Sequence, residues 1–272
     1  MLDFYFSLPL WASAALVLLF SLVISVGSHR LVQWIFRHAP LPDMKDTKLA
    51  DAVMGVVASF IGIMLAFSAV QVWQDYGTAD RAVAQEAAAI SELYRDMAVY
   101  GDETQTPRAS VKAYVHAVLD DEWPRLAHGE PGPKAAAALI DLFKEVATIQ
   151  PKTSRDEVIY GEIFKKLNEV SQYRRERMIA SQAALPALFW IVVVIGSCIL
   201  VGYTFVYPPT LQHSLIIAGL GVSMGLIFMF ILDVDHPFAG RYSVDNGEIA
   251  GLLPLFDQIA AEATPIVPQR PT

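Results

Sequence analysis

The chain has 272 residues, a formal net charge of −8, 54% hydrophobic residues and a mean hydropathy of +0.40. This is more apolar than an ordinary globular domain, and no region is basic enough to track a phosphate backbone, which excludes nucleic acid as a partner. A single cysteine, Cys198, excludes an internal disulfide.

The apolar residues are bunched. A hydrocarbon core of about 30 Å needs roughly 20 consecutive apolar residues as a helix. Four stretches meet that length without Asp, Glu, Lys or Arg: Leu8–Val26, Ala52–Trp73, Leu185–Tyr207 and Leu211–Leu232. No basic residue precedes the first and no small-residue cleavage site follows it, so it is expected to remain as a span. The predicted fold is all-α and integral to a membrane, with four transmembrane helices and a helical soluble domain inserted between spans two and three. Expected bounds are 1–73 for the first two spans with their basic connection, 74–183 for the soluble domain, 184–232 for spans three and four, and 233–272 for an acidic C-terminal tail. Residues 74–183 carry 14 Lys/Arg against 18 Asp/Glu, and the residues after Leu232 carry 2 against 6.

The first connection, Gly27–Asp51, holds Arg30, Arg37, Lys45 and Lys48, with Pro40 and Pro42 as breakers. Leu31, Val32, Trp34, Ile35 and Phe36 read as an interfacial extension of the first helix, with aromatics at headgroup depth. In the second span, Gly55, Ser59, Gly62, Ala66 and Ala69 recur at steps of four and three and share a face. Small residues let helix backbones approach closely in lipid. The seam reads either as packing within the chain or as an oligomer or pore face. Beside it, Phe60, Met64, Phe67 and Gln71 form another stripe.

The central segment reads as four helices. Val83, Ala87, Ile90, Leu93, Tyr94 and Met97 mark the first. Val111, Tyr114, Val115, Val118 and Leu119 mark the second, entered at Pro107 and stopped at Pro124. Ala138, Leu139, Leu142, Phe143 and Val146 mark the third, closed by Pro151. The fourth starts at Thr153–Ser154, with Asp156 and Glu157 suited to the helix dipole, and runs through Ile159, Ile163, Leu167 and Val170. The outer two helices are expected to be continuous with spans two and three. The third connection, Pro208–Pro209–Thr210, is short and uncharged, so spans three and four should form a tight pair.

Gly221–Val222–Ser223–Met224–Gly225 matches the G-x-S-x-G nucleophile elbow, which requires a strand–turn–helix corner. Here it lies mid-span, where Gly221 and Gly225 read as helix-packing residues, and His213 is ten residues away, about 15 Å along a helix. Asp233, Asp235 and His236 at the end of the fourth span are weak candidates for a divalent cation; the competing reading is a polar membrane exit. Arg174, Arg175 and Arg177 before the third span either draw anions to a vestibule, anchor to headgroups, or pair with Glu176 and Glu169. No P-loop, H-E-x-x-H or Cys/His cluster is present, so neither an enzyme nor a cofactor is expected.

Several pieces in order resemble the bestrophin-like domain family of four-span bacterial-type membrane proteins. They are Leu65–Ala66–Phe67 with Trp73, Tyr76 and Arg81; Glu86–Ala87 with Leu93–Tyr94–Arg95; Tyr114 with Glu122–Trp123–Pro124; Asn168 with Arg174, Arg175 and Arg177; Pro186 with Trp190; and Asp235–His236–Pro237–Phe238 with Gly240. The resemblance spans roughly residues 50–245. It implies similarity to bestrophins, homo-oligomeric anion channels whose second span lines the pore with aromatics. On that pattern Phe60, Met64, Phe67 and Gln71 face a pore, and Pro237–Phe238 is the turn after the fourth span. The chain departs from bestrophins at the acidic cluster that follows this turn, and its soluble part is shorter.

The expected function is thus a homo-oligomeric membrane channel for anions. The alternative is a non-conducting, membrane-anchored sensor or scaffold whose helical domain binds a partner, and a transporter ranks third because no inverted repeat or intramembrane charge is evident. Expected partners are the lipid bilayer, further copies of the chain and inorganic ions, in the cell (inner) membrane. The basic first connection places itself in the cytoplasm and the soluble domain outside. Lys165, Lys166, Arg174, Arg175 and Arg177, together with the resemblance, argue for a cytoplasmic domain. Long domains count little in the charge rule, and the reading leans to the outside.

Overall fold

The structure is a computed structural model and describes residues 8–38, 48–208 and 210–263. Pro40, Pro42, Lys45 and Pro209 lie outside the described residues. All regular structure among the described residues is helical: α1 Leu10–His38, α2 Lys48–Tyr100, α3 Gln105–Ala117, α4 Trp123–Leu126, α5 Pro133–Ala147, α6 Ser154–Ala180, α7 Ala187–Tyr203, α8 Leu211–Val234, α9 Gly247–Ala250 and α10 Leu252–Ala263. Three of these are long and apolar enough to cross a membrane: α1 over Leu10–Ile35, α2 and α8. The expected third span is α7, which is apolar but only 17 residues long and ends in the 3-10 turn Thr204–Val206.

The chain divides into two compact units. The first holds Met1–Gln74, Ala184–His236 and Gly240–Tyr242; the second holds Asp75–Ala183, Pro237–Ala239 and Ser243–Thr272. The 53-residue α2 contributes to both, continuous as the sequence predicts.

In the first unit α1 packs chiefly against α8. The approach is close because two glycines leave room for it. A Cβ on Gly221 would lie 2.3 Å from Ser25 Oγ, and one on Gly225 would lie 2.4 Å from Ser21 Oγ. Likewise a Cβ on Gly196 of α7 would sit 2.1 Å from Ile61 Cδ1 of α2. Little of this unit's apolar surface is covered, however: only 17% of the apolar window of α2 is buried. An exposed apolar band of this size is at home in hydrocarbon rather than water.

The second unit has a continuous core. Val83, Ile90, Leu93 and Met97 of α2 meet Val111, Tyr114 and Val115 of α3, Leu142 and Val146 of α5, and Ile163, Leu167 and Val170 of α6, all buried. Each such side chain contributes about 1.5–3 kcal/mol relative to exposure. α6 starts where predicted: Thr153 Oγ1 accepts from the Asp156 amide at 3.2 Å, and Asp156 accepts in return from the Thr153 amide at 3.0 Å. That capping box satisfies two amides the helix start would otherwise orphan.

Two expectations are corrected. Pro124 does not stop the helical run; a wide π-type turn, Val118–Glu122, leads into α4, and Pro124 sits in the first turn of α4. Just before it the Trp123 amide bonds back five residues to the Val118 carbonyl, the wider spacing of a π-type turn. Nor is α6 continuous with α7. Ser181–Pro186 separates them, because proline disfavours helical geometry in the residue before it; the Leu185 amide donates to Asp235 Oδ1 at 2.7 Å instead. The acidic tail expected over 233–272 carries the helices α9 and α10. Phe256 of α10 is fully buried in the second unit and stacks on Tyr94 with ring centroids 4.1 Å apart.

Candidate functional site

Helical spacing divides the membrane part of α2 into rows. Ile61, Leu65, Ser68 and Val72 recur at steps of four and three and are buried. The Phe60–Met64–Phe67–Gln71 stripe and the small-residue seam fall on either side of that row, each roughly 100° away at about 100° per residue. The two stripes therefore flank the packed row rather than adjoin each other. Phe60 is 57% exposed and Phe67 73%, with Met64 half-buried and Gln71 exposed. Gly55, Ser59, Gly62 and Ala66 are exposed, and nothing lies within 4 Å of a Cβ built on Gly55 or Gly62. Of the two readings of the seam, packing within the chain is not what this structure shows.

Gly221 and Gly225 are placed against α1 as described. Ser223 between them is exposed, and its hydroxyl donates to the Gly219 carbonyl at 2.9 Å. An unbroken helix gives that serine no strained corner. At the far end of α8, Asp233 and Asp235 are buried, and Asp235 Oδ2 lies 3.6 Å from His236 Nδ1. Among the described residues no group of three or more His, Cys, Asp or Glu is placed to hold a metal ion. Asp235 Oδ1 accepts from the Leu185 amide at 2.7 Å.

The three arginines separate. Arg175 is exposed. Arg177 is fully buried: its Nε donates to Glu86 Oε2 at 2.6 Å, and its Nη2 to Glu86 Oε1 at 3.1 Å and to Glu122 Oε1 at 2.8 Å. Arg174 reaches the same Glu122 through Nε at 3.1 Å and Nη2 at 2.5 Å. The guanidiniums of Arg174 and Arg177 thus neutralise buried carboxylates and are not presented to passing anions, which corrects the vestibule expectation for both. Their partners are Glu122 and Glu86 rather than Glu176 and Glu169.

Five side chains from α2, α3, the π-type turn and α6 close this network. Tyr114 donates its hydroxyl to Glu86 Oε1 at 2.6 Å, and the Gly132 amide donates to Glu122 Oε2 at 3.1 Å. Gly132 is needed there: a Cβ would lie 2.6 Å from that of Glu122. The indole of Trp123 lies 5.7 Å from the Arg177 guanidinium and meets Phe238 edge-on at 5.7 Å. Burial pushes the Glu122 carboxyl up, but the hydrogen bond from Arg174 and the charge of Arg177 outweigh it and hold the group below the ordinary value. Burial, then the Glu86 carboxylate, push the Tyr114 phenol well up. Sequence reasoning gave Glu86, Tyr114 and Glu122 no role. The available signal was their place among the pieces carrying the family resemblance, on core-facing positions of apolar helical stripes.

Residues 10–248 match the bestrophin-like domain family. In fold the chain is similar to a bacterial bestrophin homologue from Klebsiella pneumoniae carrying a point substitution, with a TM-score of 0.69 at 11% identity over 91% of this chain and 98% of that one. A membrane protein variant gives a TM-score of 0.68 at 10% identity over 91% and 98%. The Klebsiella pneumoniae homologue solved by zinc anomalous phasing gives 0.56 at 11% over 93% and 99%. Among curated proteins none matches in sequence. At these identities the structural likeness speaks for fold, while the sequence match, running from α1 to the start of α9, speaks for descent. The chain is a membrane protein that belongs to the bestrophin-like domain family.

Proposed function

We propose that the chain forms a homo-oligomeric channel that passes anions, with the membrane part of α2 lining the pore. The observation that carries this is the placement of two largely exposed stripes on either side of the packed row of α2. In a ring of copies, a helix with that arrangement can turn its aromatic stripe to the axis and its small-residue seam to the next copy. Small residues suit such contacts because close backbone packing drives association in lipid. Kinship with proteins described as bacterial bestrophin homologues supports the same reading, and the preference for anions rests on it.

Four spans complete the proposal. α7 with its terminal 3-10 turn reaches roughly 30 Å, enough for a thin hydrocarbon core. The second unit is then a helical soluble domain at the surface of the cell membrane, and the partners are lipid, further copies and inorganic ions.

Phe60, Met64 and Phe67 would stack as apolar rings about one turn apart, and narrow apolar rings gate by dewetting. Purified protein reconstituted in liposomes tests this by chloride flux. Phe67→Ala should raise flux by widening the ring, and Phe67→Ser should raise it further by wetting it. Absence of flux from both variants and wild type alike sinks the channel reading.

One observation favours a second reading, a membrane-anchored scaffold. The second unit carries an open groove of about 440 Å³ lined by Ala84, Ala88, Ser91, Gly251, Leu252 and Leu255, where small residues leave room for a partner's side chains. Without flux, that reading leads.

A further inference from the structure

A different corner of the first unit gathers hydrogen-bond donors around a guanidinium. α1 and α7 finish there, and α2 and α8 begin: Gln33 donates to the Tyr207 carbonyl at 2.7 Å, and the Tyr207 hydroxyl engages Asp51. Arg30 of α1 is exposed and touches Ser214 Oγ of α8 only loosely, at 3.4 Å. Among the described residues no carboxylate pairs with it. α8 starts beside it with Thr210 as its cap, whose hydroxyl takes the His213 amide at 3.2 Å. The amides of Leu211 and Gln212 in that first turn have no partner within the helix. His213 stacks on Tyr207 at 5.7 Å.

Behind these groups lies His29, 1% exposed, with neither ring nitrogen hydrogen-bonded. It sits near Thr204 and within electrostatic reach of Arg30 and His213. A buried imidazole always carries a donor, and leaving it unmatched beside the Arg30 charge is costly. The carboxylate at this corner, Asp51, is engaged by the Tyr207 hydroxyl, and the contact printed for Arg30 is the loose one to Ser214.

We propose that this corner binds a phosphate-type anion, with Arg30 as its ion-pairing residue and Ser214 and the first-turn amides of α8 as further donors. The positive end of a helix dipole favours an anion, and the guanidinium fork matches two phosphate oxygens. Trp34, one turn beyond Arg30, is 60% exposed, the placement of an aromatic at headgroup depth. The same chemistry is offered by an anionic lipid headgroup and by free phosphate. The site is independent of whether the protein conducts.

Native mass spectrometry on delipidated full-length protein in detergent tests this, with phosphatidylglycerol, phosphatidylcholine or inorganic phosphate added. Phosphatidylglycerol should be retained over phosphatidylcholine, and Arg30→Gln should weaken its retention by about fivefold, the effect of removing one basic residue from an anionic surface. Arg30→Lys should keep most of the retention, and Arg175→Gln, on the second unit, all of it. Ser214→Ala, a smaller change less able to disturb α1 and α8, should also weaken it. Displacement of the lipid by millimolar phosphate assigns the site to phosphate as such; resistance to displacement assigns it to the lipid headgroup. Equal retention by wild type, Arg30→Gln and Ser214→Ala, or no preference over phosphatidylcholine, overturns the proposal.

Discussion

Arg177 and Glu86 stand 91 positions apart in sequence and meet with no solvent exposure on either side chain, Nε to Oε2 at 2.6 Å. The pair joins α6 to α2 at the centre of the second unit. Truncating one member leaves the other charged and buried, which typically costs about 3–5 kcal/mol. Arg177→Met should lower the thermal midpoint of detergent-solubilised protein far more than Arg175→Met. Arg177→Lys should rescue little, because an ammonium cannot serve both carboxylates through a planar fork.

Glu122 gives this network a pH dependence with a definite sign. Its carboxyl is held below the ordinary value of 4.5 in the folded state. The stability it contributes is therefore complete above that value and is lost as pH falls through the lower, folded one. Thermal midpoints measured downward from neutrality should hold to about pH 4.5 and then drop. Glu122→Gln should start lower and show a shallower acid limb. An unchanged limb in that variant would mean that other carboxylates dominate.

The glycines of α2 and α8 should fail in different ways. Gly221→Ala forces a Cβ to within 2.3 Å of Ser25 Oγ and 2.7 Å of its Cβ, an overpacking that costs about 1–3 kcal/mol. Much of that loss should return in the Gly221→Ala, Ser25→Gly double variant. Gly62→Leu meets open space in the single chain. It should leave the protomer's fold intact while removing the native oligomer from size-exclusion profiles in mild detergent. A normal oligomer from Gly62→Leu would release the seam from any role between copies.

Ser223 should be inert. Ser223→Ala removes a hydroxyl bonded only to the preceding turn, so yield and melting should match wild type. Fluorophosphonate labelling that depends on Ser223 would contradict this.

Three of the four expected spans were legible as long apolar helices because hydropathy marks side chains suited to lipid, and the helical core because Val83, Ile90 and Leu93 repeat at helical spacing. The reading went astray where a local cue was overridden by a distant partner. Arg177 reads as a surface or vestibule charge until Glu86 and Glu122, remote in sequence, are brought to it. Pro124 reads as a stop because nothing nearby announces the wide turn that accommodates it. In α10, Leu252, Leu255, Phe256 and Ile259 carry a helical stripe, but its flanking glycines and acidic residues read as a tail until Tyr94 supplies a stacking partner. The seam of α2 was seen and its orientation was not, since spacing defines a face without saying what lies opposite.

The stacking of Phe256 on Tyr94 also sets an order of events during synthesis. The core of the second unit begins with Ala79 and is not closed until Phe256 arrives. α7 and α8 are made between those points and must leave the ribosome while the core they interrupt is still open. A chain halted after α8 therefore exposes the apolar flank of Tyr94. The second unit's final closure is a late, post-insertion step, and a stop codon ahead of Leu252 should yield a protein that enters the bilayer but is cleared by proteolysis.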